Sequence, residues 1–186
     1  MGKLILVTGG ARSGKSCFAE KYARSFGHRV AYIATAEVYD EEMAFRVKLH
    51  KERRPADWLT FDAPHDAENA VAKAARASCD FILFDCLTLY VSNIFGALTD
   101  IEDSAKNYAE VQAAVDKLIA AAKEFDGAML IVTNEVGGGI VPMNRLAREY
   151  RDLAGIANQT IAAAADEVYL VVCGLATELK NKAITL

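Results

Sequence analysis

One short segment constrains the fold of this chain more than any other, the run GGARSGKS at residues 9–16. It fits the pattern G-x-x-x-x-G-K-[ST], and it stands between a β-branched apolar run and a stretch of helical composition. In that setting the glycines allow successive backbone N–H groups to converge on phosphate oxygens at a helix N-terminus. The segment predicts a strand, a phosphate-binding loop and a helix. The alternative is a glycine-rich turn that Lys15 and Ser16 follow by accident.

The rest of the chain alternates in the same way between short apolar runs and longer segments of helical composition. Strands are predicted at 3–8, 29–33, 58–61, 81–84, 128–133 and, last, 167–173, and helices at 16–25, 40–53, 66–77, 101–124 and 145–164. This alternation predicts an α/β fold with a mostly parallel sheet covered by helices on both faces. Ligands are then expected at the carboxyl ends of the strands.

Composition indicates one globular domain and argues against several classes of partner. The 186 residues are 53% hydrophobic and 25% charged, enough to bury a core without cross-links. A net charge of −4 offers no general attraction to nucleic acid or to anionic lipid. No apolar run approaches the ~20 residues that span a bilayer, and the first residues lack the features of a secretory signal. We expect a single domain over 1–186, located in the cytoplasm, without a nucleic-acid partner or membrane insertion.

The four cysteines indicate neither a zinc site nor a disulfide framework. Cys17, Cys79, Cys86 and Cys173 are scattered along the chain without a C-x-x-C pair. We expect all four to be reduced thiols, mostly buried.

Several residues of the loop and of one strand end could act directly on a nucleotide. Lys15 can reach the terminal phosphates, and Ser16 can ligate Mg²⁺. Asp85 ends the apolar strand at 81–84, where an acidic residue completes the magnesium site of such proteins. The alternative for Asp85 is a residue that only caps a strand end. Arg12 could add charge over the phosphates, or it could be an exposed loop arginine.

His50 differs from the other histidines because cations surround it. It lies near the end of the helix predicted at 40–53, which Asp40 can cap. The cations within about one turn of it are Arg46, Arg53 and Arg54. They would lower the pKa of the imidazole and could neutralise a phosphate that it attacks. The alternative is an exposed histidine at a basic helix end that complements the helix dipole. The other two histidines, His28 and His65, are expected in solvated turns and loops.

Several motifs together carry a family resemblance that covers about residues 4–180. They are VTGGARSGKS (7–16), YIATA (32–36), HKERRPADW (50–58), TNEVGGGIVP (133–142), NRLAR (144–148), RDLAG (151–155) and AAADEV (163–168). With them the chain resembles the bifunctional adenosylcobinamide kinase/adenosylcobinamide-phosphate guanylyltransferases of cobalamin biosynthesis. The phosphate loop is shared by many families, and its combination with the other motifs is what makes the resemblance specific.

The resemblance implies two reactions on one P-loop domain. Family members phosphorylate the aminopropanol hydroxyl of adenosylcobinamide with ATP or GTP. They then transfer GMP from GTP to that phosphate through a guanylylated histidine, releasing pyrophosphate. By position in the motif this histidine is His50, and Lys15 is the other catalytic residue. The resemblance further implies a fold like that of recombinase-type ATPases, a homotrimer, and Mg²⁺ or Mn²⁺ bound by Ser16 and Asp85.

The resemblance also assigns the nucleotide contacts, position by position. They are Gly9, Gly10, Ala11, Arg12, Ser13, Gly14, Lys15, Ser16, Thr35, Ala36, Glu37, Lys51, Glu52, Arg53, Arg54, Asp62 and Asp85. Some family members have glutamate at the positions of Asp62 and Asp85, and Leu49 stands where a second histidine can occur.

The glycine-rich segment 134–142 is expected at the ligand-bearing edge of the sheet because it follows a strand. Asn134 and Glu135 could contact the corrinoid or a phosphate, or the segment could be a flexible connection. Two other functions fit the phosphate loop: a single-activity small-molecule kinase that leaves His50 idle, and a non-catalytic nucleotide-binding switch. Labelling of the protein by GMP from GTP would separate the guanylyltransferase from both.

Overall fold

A computed structural model describes residues 2–38, 40–98 and 103–184, without the side chains of Glu42, Arg46, Leu49, His50 and Arg53. The described strands are β1 (Lys3–Thr8), β2 (Val30–Ala34), β3 (Leu59–Asp62), β4 (Phe81–Asp85), β5 (Ala128–Val132), β6 (Glu167–Val172) and β7 (Leu175–Glu178). The described helices are α1 (Lys15–Phe26), α2 (Glu41–Arg53), α3 (Ala67–Arg76), α4 (Leu87–Gly96), α5 (Ser104–Glu124) and α6 (Arg145–Ala164), followed by a short 3-10 helix, Lys180–Lys182.

The strands form one sheet in the order β3-β2-β4-β5-β1-β6-β7. The first six strands along the chain run parallel, and β7 pairs antiparallel with β6. Parallel neighbours need long crossover connections, and the helices provide them. As a result, the carboxyl ends of β1 to β6 meet at one edge of the sheet.

Alternate residues of the central strands pack against helices on opposite faces. On β1, Leu4 and Leu6 join a core cluster whose helical members come from α3, α4, α5 and α6. Ile5 and Val7 join a second cluster on the other face, where α1 contributes Ala19 and other residues. The predicted architecture, a mostly parallel sheet covered on both faces, is therefore confirmed.

The predicted elements are confirmed with small differences at their ends, and the described residues contain three further elements, α4, β7 and the 3-10 helix. Asp40 caps α2 as expected, because its Oδ1 accepts a hydrogen bond from the Met43 N–H at 2.7 Å. The helix α4 escapes prediction because its residues are apolar on nearly all sides, so it lacks an amphipathic period. The prediction that 167–173 is the last strand is wrong, since the short, mostly exposed β7 follows it. Residues 101 and 102, predicted as helical, lie outside the described residues.

The prediction for the cysteines is correct in their oxidation state and wrong in their burial. All four are free thiols, and Cys79 and Cys86 are buried. Cys17 and Cys173 are exposed, because one lies on the solvent side of α1 and the other at the turn between β6 and β7.

Within the described ranges, the structure contains no helix with the length and apolar character needed to cross a membrane.

Candidate nucleotide-binding site

A cavity of about 530 Å³ opens at the edge of the sheet where the parallel strands end. The last residues of β2, β3, β4 and β5 all line it, together with parts of the phosphate loop, α2, α4 and α6. The lining residues are Ala11, Arg12, Lys15, Ser16, Tyr32, Ala34, Ala36, Met43, Val47, Lys51, Arg54, Asp62, Asp85, Cys86, Thr88, Leu89, Val132, Asn134 and Tyr150. The fold thus brings together residues that are up to 139 positions apart in sequence, from Ala11 to Tyr150.

The phosphate loop has a backbone that requires glycine at two positions. Gly9 has φ +152°, and a Cβ there would stand 2.3 Å from the carbonyl oxygen of Val171. Gly14 has φ +101°, and a Cβ would stand 3.0 Å from the Cα of Gly174. The Gly174 N–H donates a hydrogen bond to the Ser13 carbonyl at 2.7 Å, so the β6–β7 turn supports the loop from outside. The free N–H groups at the start of α1 remain available to an anion.

Lys15 is held inside the loop rather than extended into solvent. Its side chain is buried, and Nζ donates a hydrogen bond to the carbonyl of Gly10 at 2.6 Å. Burial lowers the pKa of Lys15, and the electrostatic influence of Cys86 and Asp85 works in the opposite direction. A buried ammonium at this place can exchange one carbonyl for phosphate oxygens when a nucleotide binds.

Asp85 forms the acidic side of the cavity and belongs to a small network of side chains. It ends β4, where it pairs in register with Ala34 of β2. The hydroxyl of Tyr32 donates a hydrogen bond to Asp85 Oδ2 at 2.7 Å. The Arg54 guanidinium lies over the Tyr32 ring, 3.6 Å from its centroid, and also donates to Thr60 Oγ1 at 3.3 Å. Burial and the neighbouring Asp85 raise the pKa of Tyr32, so this hydroxyl stays protonated and acts as donor.

The helix α2 supplies one wall of the cavity. Met43, Val47 and Lys51, spaced four residues apart, all line it and so define the face of α2 that turns towards the phosphate loop. The backbone of His50 lies in α2 next to Lys51, and its side chain is outside the described part of the structure, as is that of Arg53. Glu52 is exposed, with its Oε1 3.8 Å from Lys48 Nζ.

Two other predicted nucleotide contacts have partners within the protein. Thr35 is fully buried, and its Oγ1 donates to the carbonyl of Cys86 at 2.9 Å and accepts from the Cys86 N–H at 2.8 Å. Glu37 Oε1 lies 3.1 Å from Nε2 of His65, so this histidine is paired and not simply solvated as expected. The third histidine, His28, is exposed as predicted.

The predicted nucleotide contacts whose side chains the structure describes, all except Arg53, therefore fall into three groups. Those that line the cavity are Ala11, Arg12, Lys15, Ser16, Ala36, Lys51, Arg54, Asp62 and Asp85. Those that shape the loop itself are Gly9, Gly10, Ser13 and Gly14, and those that the structure does not place in the cavity lining are Thr35, Glu37 and Glu52.

The sequence does not single out Thr88 of α4 or Tyr150 of α6, and both line the cavity. Thr88 Oγ1 accepts a hydrogen bond from Asn134 Nδ2 at 3.0 Å, and the Thr88 carbonyl accepts one from the hydroxyl of Tyr150 at 3.1 Å. Asn93 donates through Nδ2 to the carbonyls of Thr35 at 2.7 Å and Pro64 at 3.1 Å. These contacts tie the strand-end loops together beneath the cavity. In the sequence, only the place of Thr88, three residues after Asp85, points towards such contacts.

The donor set at the cavity fits a hard divalent cation bound together with phosphates. No group of three or more His, Cys, Asp or Glu side chains that could hold a metal by itself occurs among the described residues. The Ser16 hydroxyl and the Asp85 carboxylate do line the same cavity. One hydroxyl and one carboxylate, completed by phosphate oxygens and water, make the kind of site that Mg²⁺ prefers in nucleotide-binding enzymes.

The chain matches known proteins over nearly its whole length. The family model for cobinamide kinase / cobinamide phosphate guanyltransferase matches residues 5–179. The bifunctional adenosylcobalamin biosynthesis protein CobU of Salmonella typhimurium is 46% identical over 182 residues, covering 95% of this chain and 99% of that protein. The protein of the same name from Escherichia coli is 40% identical over the same length, with the same coverage. Among solved structures, a KaiC-like protein of Pyrococcus horikoshii is similar over 91% of this chain and 70% of its own, with 14% identity and a TM-score of 0.46.

Proposed function

Since this chain belongs to the cobinamide kinase / cobinamide phosphate guanyltransferase family, we propose that its strand-end cavity serves both of the family's reactions. The chain is a bifunctional enzyme of adenosylcobalamin biosynthesis, a kinase and a guanylyltransferase that acts on a corrinoid. The observation that carries the proposal is the convergence of the phosphate loop, Asp85 and the lining face of α2 on one cavity. A loop that can bind the phosphoryl donor and a helix wall that carries Lys51 therefore lie at the same place.

In the kinase reaction, the residues of this chain bind and position a triphosphate. The phosphate loop holds the phosphates through its backbone N–H groups, and Lys15 neutralises charge on the transferring phosphoryl group. Ser16 and Asp85 would hold Mg²⁺, which when bound shields the charge of the phosphate oxygens. The aminopropanol hydroxyl of adenosylcobinamide attacks the terminal phosphorus of ATP or GTP and releases its proton to solvent. The bond between the terminal phosphorus and its bridging oxygen breaks, ADP or GDP leaves, and adenosylcobinamide phosphate forms.

In the guanylyltransferase reaction, we assign the nucleophile to His50. An imidazole nitrogen attacks the α-phosphorus of GTP, a phosphorus–nitrogen bond forms, and pyrophosphate leaves. The phosphate of adenosylcobinamide phosphate then attacks the same phosphorus and releases the histidine. The assignment is supported by the family motif at 50–58 and by the place of His50 on α2, beside the cavity-lining Lys51. Lys51 and Arg54 bring positive charge to this wall, which favours a triphosphate.

A direct assay tests the proposed function. The purified protein is incubated with adenosylcobinamide, ATP and GTP, and the corrinoid products are resolved by chromatography. We expect adenosylcobinamide phosphate first and adenosylcobinamide-GDP second, with GMP bound to the protein in the absence of corrinoid. Formation of adenosylcobinamide phosphate alone, without a protein-bound GMP, would indicate a single-activity kinase. Nucleotide binding without any corrinoid product would indicate a nucleotide switch.

The Asp85→Asn substitution tests the proposed metal site. Asparagine is nearly isosteric with aspartate but uncharged, so the cavity keeps its shape and loses its acidic ligand. We expect magnesium-dependent kinase turnover to fall about 100-fold, with part of the loss recovered at high Mg²⁺. The matched control is Asp126→Asn at an exposed turn before β5. Unchanged turnover across a magnesium titration would assign Asp85 a purely structural role.

The segment 134–143, which follows β5, is hydrogen-bonded to the phosphate loop beside the cavity, and we propose that it contacts the corrinoid there. The Glu135 N–H donates to the carbonyl of Gly9 at 3.0 Å, and Arg148 Nη1 donates to the carbonyls of Pro142 at 3.0 Å and Met143 at 2.7 Å. The segment so held displays Ile140, 97% exposed, and Met143, 98% exposed. A cavity of about 530 Å³ that also holds a nucleoside triphosphate leaves little room for a corrin macrocycle, so we expect the macrocycle to lie outside it, where these apolar side chains offer a surface.

A double substitution, Ile140→Ser with Met143→Ser, tests this contact. We expect the KM for adenosylcobinamide to rise about tenfold, because apolar contact area is lost, while the KM for ATP stays unchanged. Phe26→Ser is the matched control, an exposed apolar residue at the end of α1 on the opposite edge of the sheet. An unchanged KM for the corrinoid would contradict the proposal.

Two further features stay predictions. The homotrimer follows from the family resemblance, and sedimentation of the purified protein would measure it. The cytoplasmic location follows from the reading of the sequence, and fractionation of cells would test it.

A further inference from the structure

We infer that Tyr32 is the positioning residue for Asp85. Its hydroxyl holds this carboxylate in the orientation in which the carboxylate would bind the metal ion of a metal–triphosphate complex. The inference rests on the proposed nucleotide site and adds a residue to which neither the motifs nor the comparisons assign a role. It is carried by the hydrogen bond between the two side chains and by the contacts that keep the Tyr32 ring in place.

The geometry of the sheet places the two side chains on the same face. β2 and β4 are parallel neighbours, and Ala34 pairs in register with Asp85. Tyr32 lies two residues before Ala34, and side chains two residues apart on a strand share a face. The Tyr32 hydroxyl consequently reaches Asp85 Oδ2 at 2.7 Å. This contact depends on β2 and β4 being neighbours and not on closeness in sequence.

The Tyr32 side chain has little freedom to leave this position. It is 4% exposed and packs in the core cluster that contains Leu83. On its open face the Arg54 guanidinium lies 3.6 Å from the ring centroid, a cation–π contact, and Arg54 is also hydrogen-bonded to Thr60. A fixed donor of this kind restricts the rotation of a carboxylate, as hydrogen-bonded partners of metal ligands do in other sites.

The Tyr32→Phe variant removes the hydroxyl and keeps the ring, so the packing and the Arg54 contact can remain. The matched control is Tyr22→Phe, because the Tyr22 hydroxyl also donates to a carboxylate, Glu167 Oε2 at 2.9 Å. Glu167 begins β6, so that pair lies at the opposite edge of the sheet from the cavity.

Binding of Mn²⁺ in the presence of GTP, followed by electron paramagnetic resonance, is the primary measurement. We expect Tyr32→Phe to weaken Mn²⁺ binding on the order of 10-fold, with the affinity for metal-free GTP and the melting temperature close to those of Tyr22→Phe. In the kinase reaction, we expect a lower kcat at fixed Mg²⁺ and an unchanged KM for adenosylcobinamide. Mn²⁺ binding equal to that of the wild-type protein would overturn the inference.

A double-mutant cycle with Asp85→Asn separates positioning from a general loss of stability. If Tyr32 acts through Asp85, then adding Tyr32→Phe to Asp85→Asn should weaken Mn²⁺ binding no further. Equal losses in both backgrounds would overturn the inference. Because Mn²⁺ binding needs no corrinoid, the result is separate from the proposed function, which fails if the wild-type protein forms no corrinoid product or forms adenosylcobinamide phosphate without a protein-bound GMP.

Discussion

Lys15→Ala is expected to reduce both reactions by about 10³-fold, because each uses a triphosphate whose charge this ammonium neutralises. In the structure the Lys15 ammonium is already buried in the loop, bound to the carbonyl of Gly10 at 2.6 Å. A nucleotide therefore meets a positioned charge and does not have to order a flexible side chain. Alanine removes the charge and leaves the loop glycines unchanged.

Rates of adenosylcobinamide phosphate formation and of GMP transfer to the protein measure the effect. Lys21→Ala is the matched control, since Lys21 lies on the exposed side of the same helix, α1. Circular dichroism would show that both variants keep their helices. Near wild-type rates in both reactions for Lys15→Ala would mean that the phosphate loop is not where the triphosphate reacts.

His50→Ala is expected to separate the two activities of this enzyme. Guanylyl transfer through a covalent intermediate needs an imidazole nitrogen, and alanine offers no substitute, so formation of adenosylcobinamide-GDP should fall by about 10⁴-fold. Phosphoryl transfer to the substrate hydroxyl needs the phosphate loop and positioning but no protein nucleophile. Adenosylcobinamide phosphate should therefore still form, at a lower rate if His50 also helps to position the nucleotide.

The covalent adduct provides the most direct measurement of this effect. Wild-type protein incubated with labelled GTP should carry GMP through a bond that acid hydrolyses and base does not, as expected for phosphorus bonded to imidazole nitrogen. His50→Ala should carry none, and the matched control His28→Ala, at an exposed turn, should carry as much as wild type. An undiminished adduct in His50→Ala would assign the nucleophile to His28, His65 or a lysine.

The parts of the site that the sequence predicts well are those made by neighbouring residues. A phosphate loop needs only a strand, glycines and a helix in succession, and all of these lie within residues 3–26. Asp85 was recognisable because it directly follows an apolar strand run. The cap of α2 by Asp40 is likewise a contact over three residues, from Asp40 to Met43. In each of these cases the physical cause is local, so the order of residue types is sufficient to indicate it.

The long-range contacts of these site residues depend on which strands are neighbours in the sheet and on how the helices pack. The hydrogen bond from Tyr32 to Asp85 spans 53 positions and exists because β2 pairs with β4. The contact of Tyr150 with Thr88 spans 62 positions and joins α6 to α4, a mostly apolar helix that has no amphipathic period from which it could be predicted. The β6–β7 turn that supports Ser13 depends in the same way on the short strand β7.

By itself, the sequence determined the α/β class, the phosphate loop and, through its combination of motifs, the family. Only the tertiary structure decided which features share one cavity, namely Lys15, Asp85, Arg54 and the lining face of α2. It alone also decided that the Tyr32 hydroxyl donates a hydrogen bond to Asp85. The reason is physical. Backbone hydrogen bonding and capping act between near neighbours in the chain, whereas the composition of a cavity depends on strand order and helix packing, which combine residues from the whole chain.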